Sequence, residues 1–256
     1  MFTGLLEHGE LYHKFDEDIH EGMRLGRNMW LDARSLAHMV ENSVEAMSGP
    51  IRSVEWERVL AVLDQGQVGS CTGNAGTGAL GTRPFYDRID PSKLPSMTDA
   101  ADAENFAVDL YEDATKVDAY PGTYPDQDTG SSGLAICKVL KTRGIITGYR
   151  WARSPYGFLR LLQDGPVLQG MPWYKAFFDP DGKGFIDASP TWEGSGVAGG
   201  HEVEAIGVEI DENDVFDSVI TYVNSWGTSW GDGGRFRMRL RTYEKLSGID
   251  LKQYVV

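Results

Sequence analysis

The run Asp64-Gln65-Gly66-Gln67-Val68-Gly69-Ser70-Cys71-Thr72-Gly73-Asn74-Ala75 decides how this chain is read. A glycine-rich turn ends in a thiol and passes straight into small, mostly apolar residues. This pattern predicts a helix over 71–82 with Cys71 in its first turn. The first N–H groups of a helix have no carbonyl partner, and the helix dipole places partial positive charge there. A thiolate is the kind of charge such a position favours, so Cys71 is expected to ionise more readily than an ordinary thiol and to act as a nucleophile.

A thiol nucleophile needs a base. Of the five histidines, His8, His13, His20, His38 and His201, only His201 follows Cys71. It stands in Gly199-Gly200-His201-Glu202-Val203-Glu204-Ala205-Ile206-Gly207. Downstream comes Tyr222-Val223-Asn224-Ser225-Trp226-Gly227-Thr228-Ser229-Trp230-Gly231. The Asn224 carboxamide can accept the second imidazole N–H and fix the tautomer, and Trp226 can shield that bond from water. The four early histidines lack metal-ligand spacing and read as surface residues. No metal site and no cofactor is expected.

The order Gln65, Cys71, His201, Asn224, with its Asn-Ser-Trp-Gly motif, resembles the papain-like cysteine peptidases, and the residues around Cys71 resemble the bacterial and phage branch. His201 falls 130 residues after Cys71 and Asn224 falls 153 after it, spacings that suit this family. The resemblance covers about residues 50–245. It implies an α+β, two-lobed fold: a helical lobe over about 65–145 and an antiparallel β-barrel-like lobe over about 146–245, with the active-site cleft between them. Residues 1–49 are then an N-terminal extension and 50–256 the peptidase domain.

The implied activity is that of a cysteine endopeptidase acting on polypeptide through a thioester acyl-enzyme. Cys71 is the nucleophile, His201 the base and Asn224 its orienter. The Gln65 side chain and the Cys71 N–H hold the oxyanion. Counted back from Arg143-Gly144-Ile145, Gly130 and Ser131 match the family's paired glycines, whose backbone binds extended substrate like an added strand. Ser131 replaces a glycine there. Gly200 and Trp226 are expected to line the same cleft. Plant and lysosomal members carry a cysteine where Val68 stands, bridged to one in the segment that here reads Asp126-Gln127-Asp128-Thr129-Gly130-Ser131-Ser132-Gly133, so that bridge is absent.

Two other functions share much of this pattern. One is a non-catalytic module that keeps the fold, such as a virion component. The other is a Cys-His amidase acting on cell-wall peptides or isopeptide bonds, separated only by substrate. Packing alone does not require Gln65, Cys71, His201 and Asn224 together, which favours an enzyme over the module.

Bulk properties narrow the partners. The net charge of −14 opposes binding to nucleic-acid phosphates. The 41% hydrophobic content of the 256 residues supports a substantial core. Residues 1–20 have no apolar leader segment, and no run approaches the ~18 apolar residues of a membrane helix, so a cytoplasmic or virion-associated protein without a membrane partner is expected. Only two cysteines are present, too few for a disulfide framework. The second, Cys137, shares a helix face with Leu134 and Leu140 and reads as a buried, inert thiol.

Three further motifs match by chance. Gly76-Thr77-Gly78-Ala79-Leu80-Gly81 fits the dinucleotide pattern, but its glycines lie inside the Cys71 helix and read as packing contacts. Gly227-Thr228-Ser229-Trp230-Gly231 fits a serine-hydrolase elbow, yet no histidine follows it. Asp179-Pro180-Asp181-Gly182-Lys183 begins like a calcium loop, but Pro190 stands where the bidentate Glu belongs.

Helices are predicted over 100–118 and 132–143, and strands over 59–63, 166–170, 203–210, 219–223 and 236–240. The run Arg235 to Arg241 alternates as a half-buried strand. Leu36, Met39, Val40 and Val44 suggest a short amphipathic helix within the extension. The extension is short for a folded, removable inhibitor and reads as a packing arm.

Overall fold

The structure is a computed structural model that describes residues 4–6, 10–246 and 250–256; His8 lies outside the described residues. Two apolar cores divide the chain. One is built among helices, the other around an antiparallel sheet.

The helical lobe rests on three helices: α2 (Cys71–Leu80), α4 (Ala100–Val117) and α5 (Gly133–Thr142). In α4, Ala103, Ala107, Leu110, Tyr111 and Ala114 fall on one face and are buried, the 3.6-residue period of an amphipathic helix. Asp99 caps it by accepting from the N–H groups of Ala101 and Asp102. Ser132 caps α5 in the same manner through Ala135. All ten residues of α2 are buried. A Cβ on Gly73 would come within 2.1 Å of the Ala107 carbonyl oxygen, so a glycine lets α2 and α4 touch backbone to backbone. Gly76, Gly78 and Gly81 pack against Ile136, the Glu204 carboxylate and Leu60, the packing role expected of them.

The second lobe is a seven-stranded sheet. Its strands are β4 (Val54–Glu55), β5 (Gly148–Ala152), β6 (Val167–Tyr174), β7 (Val197–Glu209), β8 (Val219–Val223), β9 (Arg235–Arg239) and β10 (Asp250–Val255). The order is β5-β10-β6-β7-β8-β9, with β4 paired to β7, and every pairing is antiparallel. The core side carries Trp173, Val203, Ile220, Phe236 and Met238. Arg235, Arg237 and Arg239 alternate with the buried Phe236 and Met238, as the period-two pattern requires. Short helices α3 (Phe85–Arg88), α6 (Pro155–Leu162) and α7 (Leu240–Lys245) pack at the margins.

Several expectations are corrected. Residues 59–63 form no strand; only isolated bridges at Arg58 and Asp64 flank them. Strand β7 begins at Val197, six residues before the predicted start, and so contains His201. The sheet extends past residue 245, because β10 lies between β5 and β6. Leu36, Met39, Val40 and Val44 do not share one amphipathic helix. The extension has two 3₁₀ turns, Ala33–His38 and Val40–Asn42, and the single turn α1 (Val44–Met47), with Val44 90% exposed. Its strands β1 (Gly4–Leu6), β2 (Glu10–His13) and β3 (Met29–Leu31) make a small antiparallel sheet. His38 is exposed, whereas His13 and His20 are half-buried against Phe15 and Phe178.

Candidate active site

Cys71 opens α2, and His201 lies in mid-β7. The Cys71 thiol rests against the backbone N–H of Glu202, the residue that follows His201, so the start of the helix packs on the strand beside the ring. His201 Nε2 lies 2.7 Å from Asn224 Oδ1. That oxygen also accepts the Ser225 N–H at 2.8 Å, which orients it to accept and makes Nε2 the ring donor. Nδ1 has no hydrogen-bond partner among the described residues. Trp226 stacks on the imidazole with centroids 4.7 Å apart, and Trp173 meets it edge-on at 4.9 Å.

The segment after β8 organises the rest. Gln65 N–H donates to the Ser225 carbonyl at 2.9 Å, and Gly227 N–H donates to Leu63 at 3.0 Å. The glycine-rich turn is thereby tied to the Asn-Ser-Trp-Gly segment. Ser225 Oγ donates to Gln65 Oε1 at 2.6 Å, and Gln65 Nε2 donates to the Val68 carbonyl at 2.8 Å. The amide has one N–H left to give. It goes to the carbonyl of Leu25, at 3.2 Å.

Leu25 belongs to a strap, residues 15–28, that fills the groove between the lobes. Arg27 N–H donates to the Gly200 carbonyl at 3.0 Å. Ser131 N–H donates to Gly26 at 2.8 Å, and Asn28 N–H donates to Ser131 at 2.6 Å, a parallel bridge. Trp226 Nε1 donates to the Arg24 carbonyl at 2.9 Å. Gly130, with φ +72°, and Gly200 leave no room for side chains: a Cβ would meet the Gly26 oxygen at 2.4 Å and the Arg27 oxygen at 2.2 Å. The extension thus packs against Gly200 on one side and Ser131 on the other. Of the eight sequence-derived residues, Gln65, Gly130, Ser131, Gly200 and Trp226 touch the strap directly.

The strap also sets the electrostatics. Cys71 and His201 are both 0% exposed. Burial pushes the Cys71 thiol well above its ordinary range, helped by the nearby Glu202 and Glu17 carboxylates and opposed by the Glu202 N–H and by Arg27. Burial pulls His201 down to about 4, opposed by its bond to Asn224. The expectation of an easily ionised Cys71 is corrected for this closed arrangement. A helix start favours an anion by only about 0.3–1 kcal/mol, less than complete desolvation takes away. Burial favours the neutral thiol and the neutral imidazole.

Sequence reasoning missed Ser225, Glu202 and the strap residues Arg24 to Asn28. Glu202 offered a signal: a carboxylate beside His201, in a short run that carries a second one at Glu204. The described residues hold no group of three or more His, Cys, Asp or Glu side chains arranged to bind a metal, and no described helix is long and apolar enough to cross a membrane. Neither cysteine forms a disulfide, and both are buried.

No protein-family model matches the chain. It is similar to Cysteine proteinase 3 of Entamoeba histolytica, 28% identical over 228 residues that cover 81% of this chain and 68% of that protein. Among solved structures it resembles xylellain, a cysteine protease from Xylella fastidiosa, with a TM-score of 0.58, 15% identity and coverage of 95% and 96% of the two chains. Digestive procathepsin L 3 of Tenebrio molitor larval midgut gives a TM-score of 0.55 at 18% identity, over 82% of this chain and 71% of that one.

Proposed function

We propose, from the premise that this chain is a papain-like cysteine peptidase, that it is an endopeptidase working through Cys71, His201 and Asn224, and that the strap holds it in a closed form. One observation carries this reading. The Gln65 side chain, fixed by Ser225 and Val68, already donates to a peptide carbonyl, that of Leu25. The groove therefore holds peptide backbone at the very donor assigned to the oxyanion.

Displacing the strap lets water reach Cys71 and His201 and removes the burial that keeps both neutral. The unpartnered His201 Nδ1 takes the thiol proton, and the thiolate attacks the substrate carbonyl carbon. The oxyanion is held by Gln65 Nε2 and by the Cys71 N–H, one of the N–H groups a helix leaves unbonded. His201 passes its proton to the leaving amine as the C–N bond breaks, leaving a thioester. A water that gives a proton to His201 then frees the acid and the thiol. Asn224 keeps Nε2–H occupied, so the ring presents Nδ1 throughout. Residues 1–49 act as the covering extension and 50–256 as the peptidase domain.

The test uses the full chain. Leu25→Asp places a charge in an apolar groove and expels the strap. Iodoacetamide should then modify Cys71 quickly, and a fluorogenic peptide should be hydrolysed, with hydrolysis lost on adding Cys71→Ala or His201→Ala. A Leu25→Asp protein whose Cys71 is alkylated readily but which cleaves no peptide of a diverse panel overturns the reading.

A further inference from the structure

The strap brings two arginines into the groove, one on each side of the Leu25 carbonyl held by Gln65. Arg24 Nη1 lies 3.2 Å from Asp128 Oδ2, with both side chains partly exposed. Arg27 Nε lies 3.7 Å from Glu202 Oε2, and both of those side chains are 0% exposed. Asp128 and Glu202 belong to the walls of the groove and stay when the strap leaves. Asp128 is fixed by bonds from the Gly69 N–H at 2.9 Å and the Tyr111 hydroxyl at 2.6 Å. Glu202 is seated against the first residue of α5. A Cβ on Gly133 would fall 2.3 Å from Glu202 Oε1, so the glycine makes room for the carboxylate at a helix start, where negative charge is favoured.

Glu202 has no part in the bond-making steps, yet its carboxylate is fully buried one residue from the proposed base. A buried carboxylate that loses its countercharge is strongly disfavoured. Once Arg27 withdraws, an incoming peptide with an apolar side chain at that point does not replace the Arg27 charge beside Glu202. A basic side chain restores the pair. The strap backbone that delivers Arg27 uses Gly200 and Ser131, both expected from the sequence to line the substrate cleft.

We infer that Glu202 is the specificity-determining residue of this groove, selecting peptides with an arginine or lysine side chain close to the scissile bond, and that Arg27 occupies its place in the closed form. The inference rests on reading the groove as a peptide site. It adds that the subsite is acidic and names the residue that makes it so.

The test is a binding measurement, independent of turnover. The full chain carrying Leu25→Asp and Arg27→Ala is first checked for rapid Cys71 alkylation, which establishes an open groove, and Cys71→Ala is then added to prevent cleavage. Fluorescence anisotropy follows labelled octapeptides in which one arginine, stepped through the central positions, is compared with neutral citrulline. At one position arginine should bind about 10- to 100-fold more tightly than citrulline, and adding Glu202→Gln should bring that ratio to about one. Equal binding of arginine and citrulline at every position overturns the inference without needing the Glu202 variant to fold, as does a ratio that survives Glu202→Gln or an open groove that binds neither peptide. A retained arginine preference in a protein whose Cys71-containing form cleaves nothing would sink the peptidase mechanism and leave the acidic subsite standing.

Discussion

Ser225 Oγ donates to Gln65 Oε1 at 2.6 Å across 160 residues of chain, and this bond decides which end of the Gln65 amide faces the groove. With the oxygen held by Ser225, both Nε2 hydrogens point away from it, one to Val68 and one to the Leu25 carbonyl. The amide can rotate once that hydroxyl is gone. Ser225→Ala in the strap-displaced protein should lower kcat/KM about tenfold, with kcat carrying the loss, and Ser225→Thr should restore part of it. Gln65→Ala should cost about 10²–10³. An unchanged kcat in both variants would remove Gln65 from the mechanism.

Gly200 separates the strap from substrate. A Cβ there would sit 2.2 Å from the Arg27 carbonyl oxygen, a backbone atom with little freedom to yield. Gly200→Ala should therefore push the strap out and make Cys71 more reactive than in the wild type, by tenfold or more in the iodoacetamide rate. The same methyl obstructs a substrate backbone, so peptide hydrolysis should stay low. Faster alkylation with poor turnover is the expected signature; slow alkylation at wild-type rate would show that Gly200 does not hold the strap.

The four residues proposed for the chemistry could be named from the sequence because the proposed steps ask for particular side-chain types: a thiol, a ring and two carboxamides. Helix α5 was legible from the shared face of Leu134, Cys137 and Leu140, a local signal. Strand β10 was not, because its partners lie about 100 and 80 residues upstream in β5 and β6, as in the pairing of Tyr254 with Tyr149 and Asp250 with Gly170. The start of β7 was hidden by Val197-Ala198-Gly199-Gly200, where glycines give no strand signal and pairing to β6 supplies the order. The strap was illegible for the same reason on a larger scale. Arg27 and Glu202 lie 175 positions apart in the sequence, and nothing local to either residue announces the other.

Glu204, two residues beyond Glu202 on the same strand, makes a different use of a buried carboxylate. It pairs with Arg58 Nη1 and accepts from the Thr82 hydroxyl at 2.6 Å. Burial raises its pKa, opposed by Arg58. The pair fastens the approach to the Cys71 turn onto β7. Removing one partner leaves the other charge buried and alone, so Arg58→Ala should destabilise the fold by about 3–5 kcal/mol, read from denaturant midpoints. A loss under about 1 kcal/mol would mean that water reaches Glu204 when Arg58 is gone.

His201 predicts how the closed form responds to acid. Its folded pKa is depressed to about 4 from 6.5, chiefly by burial. Between those values the unfolded chain binds a proton that the folded chain refuses. Stability is then unaffected by this group above pH 6.5 and falls as the pH drops from about 6.5 to about 4. The full effect is on the order of 3 kcal/mol, or roughly 5–10 °C in Tm for a chain of this size. Asp118 acts in the opposite direction: burial raises it to about 7, so its folded form keeps a proton and its contribution fades as pH rises through 7. Its effect is common to wild type and to a His201→Gln variant and cancels in their difference. The Tm of wild type minus that of His201→Gln should decline steadily from pH 6.5 to 4 and be level above 7. A difference that is level throughout would mean the ring protonates freely in the closed form, and that the strap does not seal it from water.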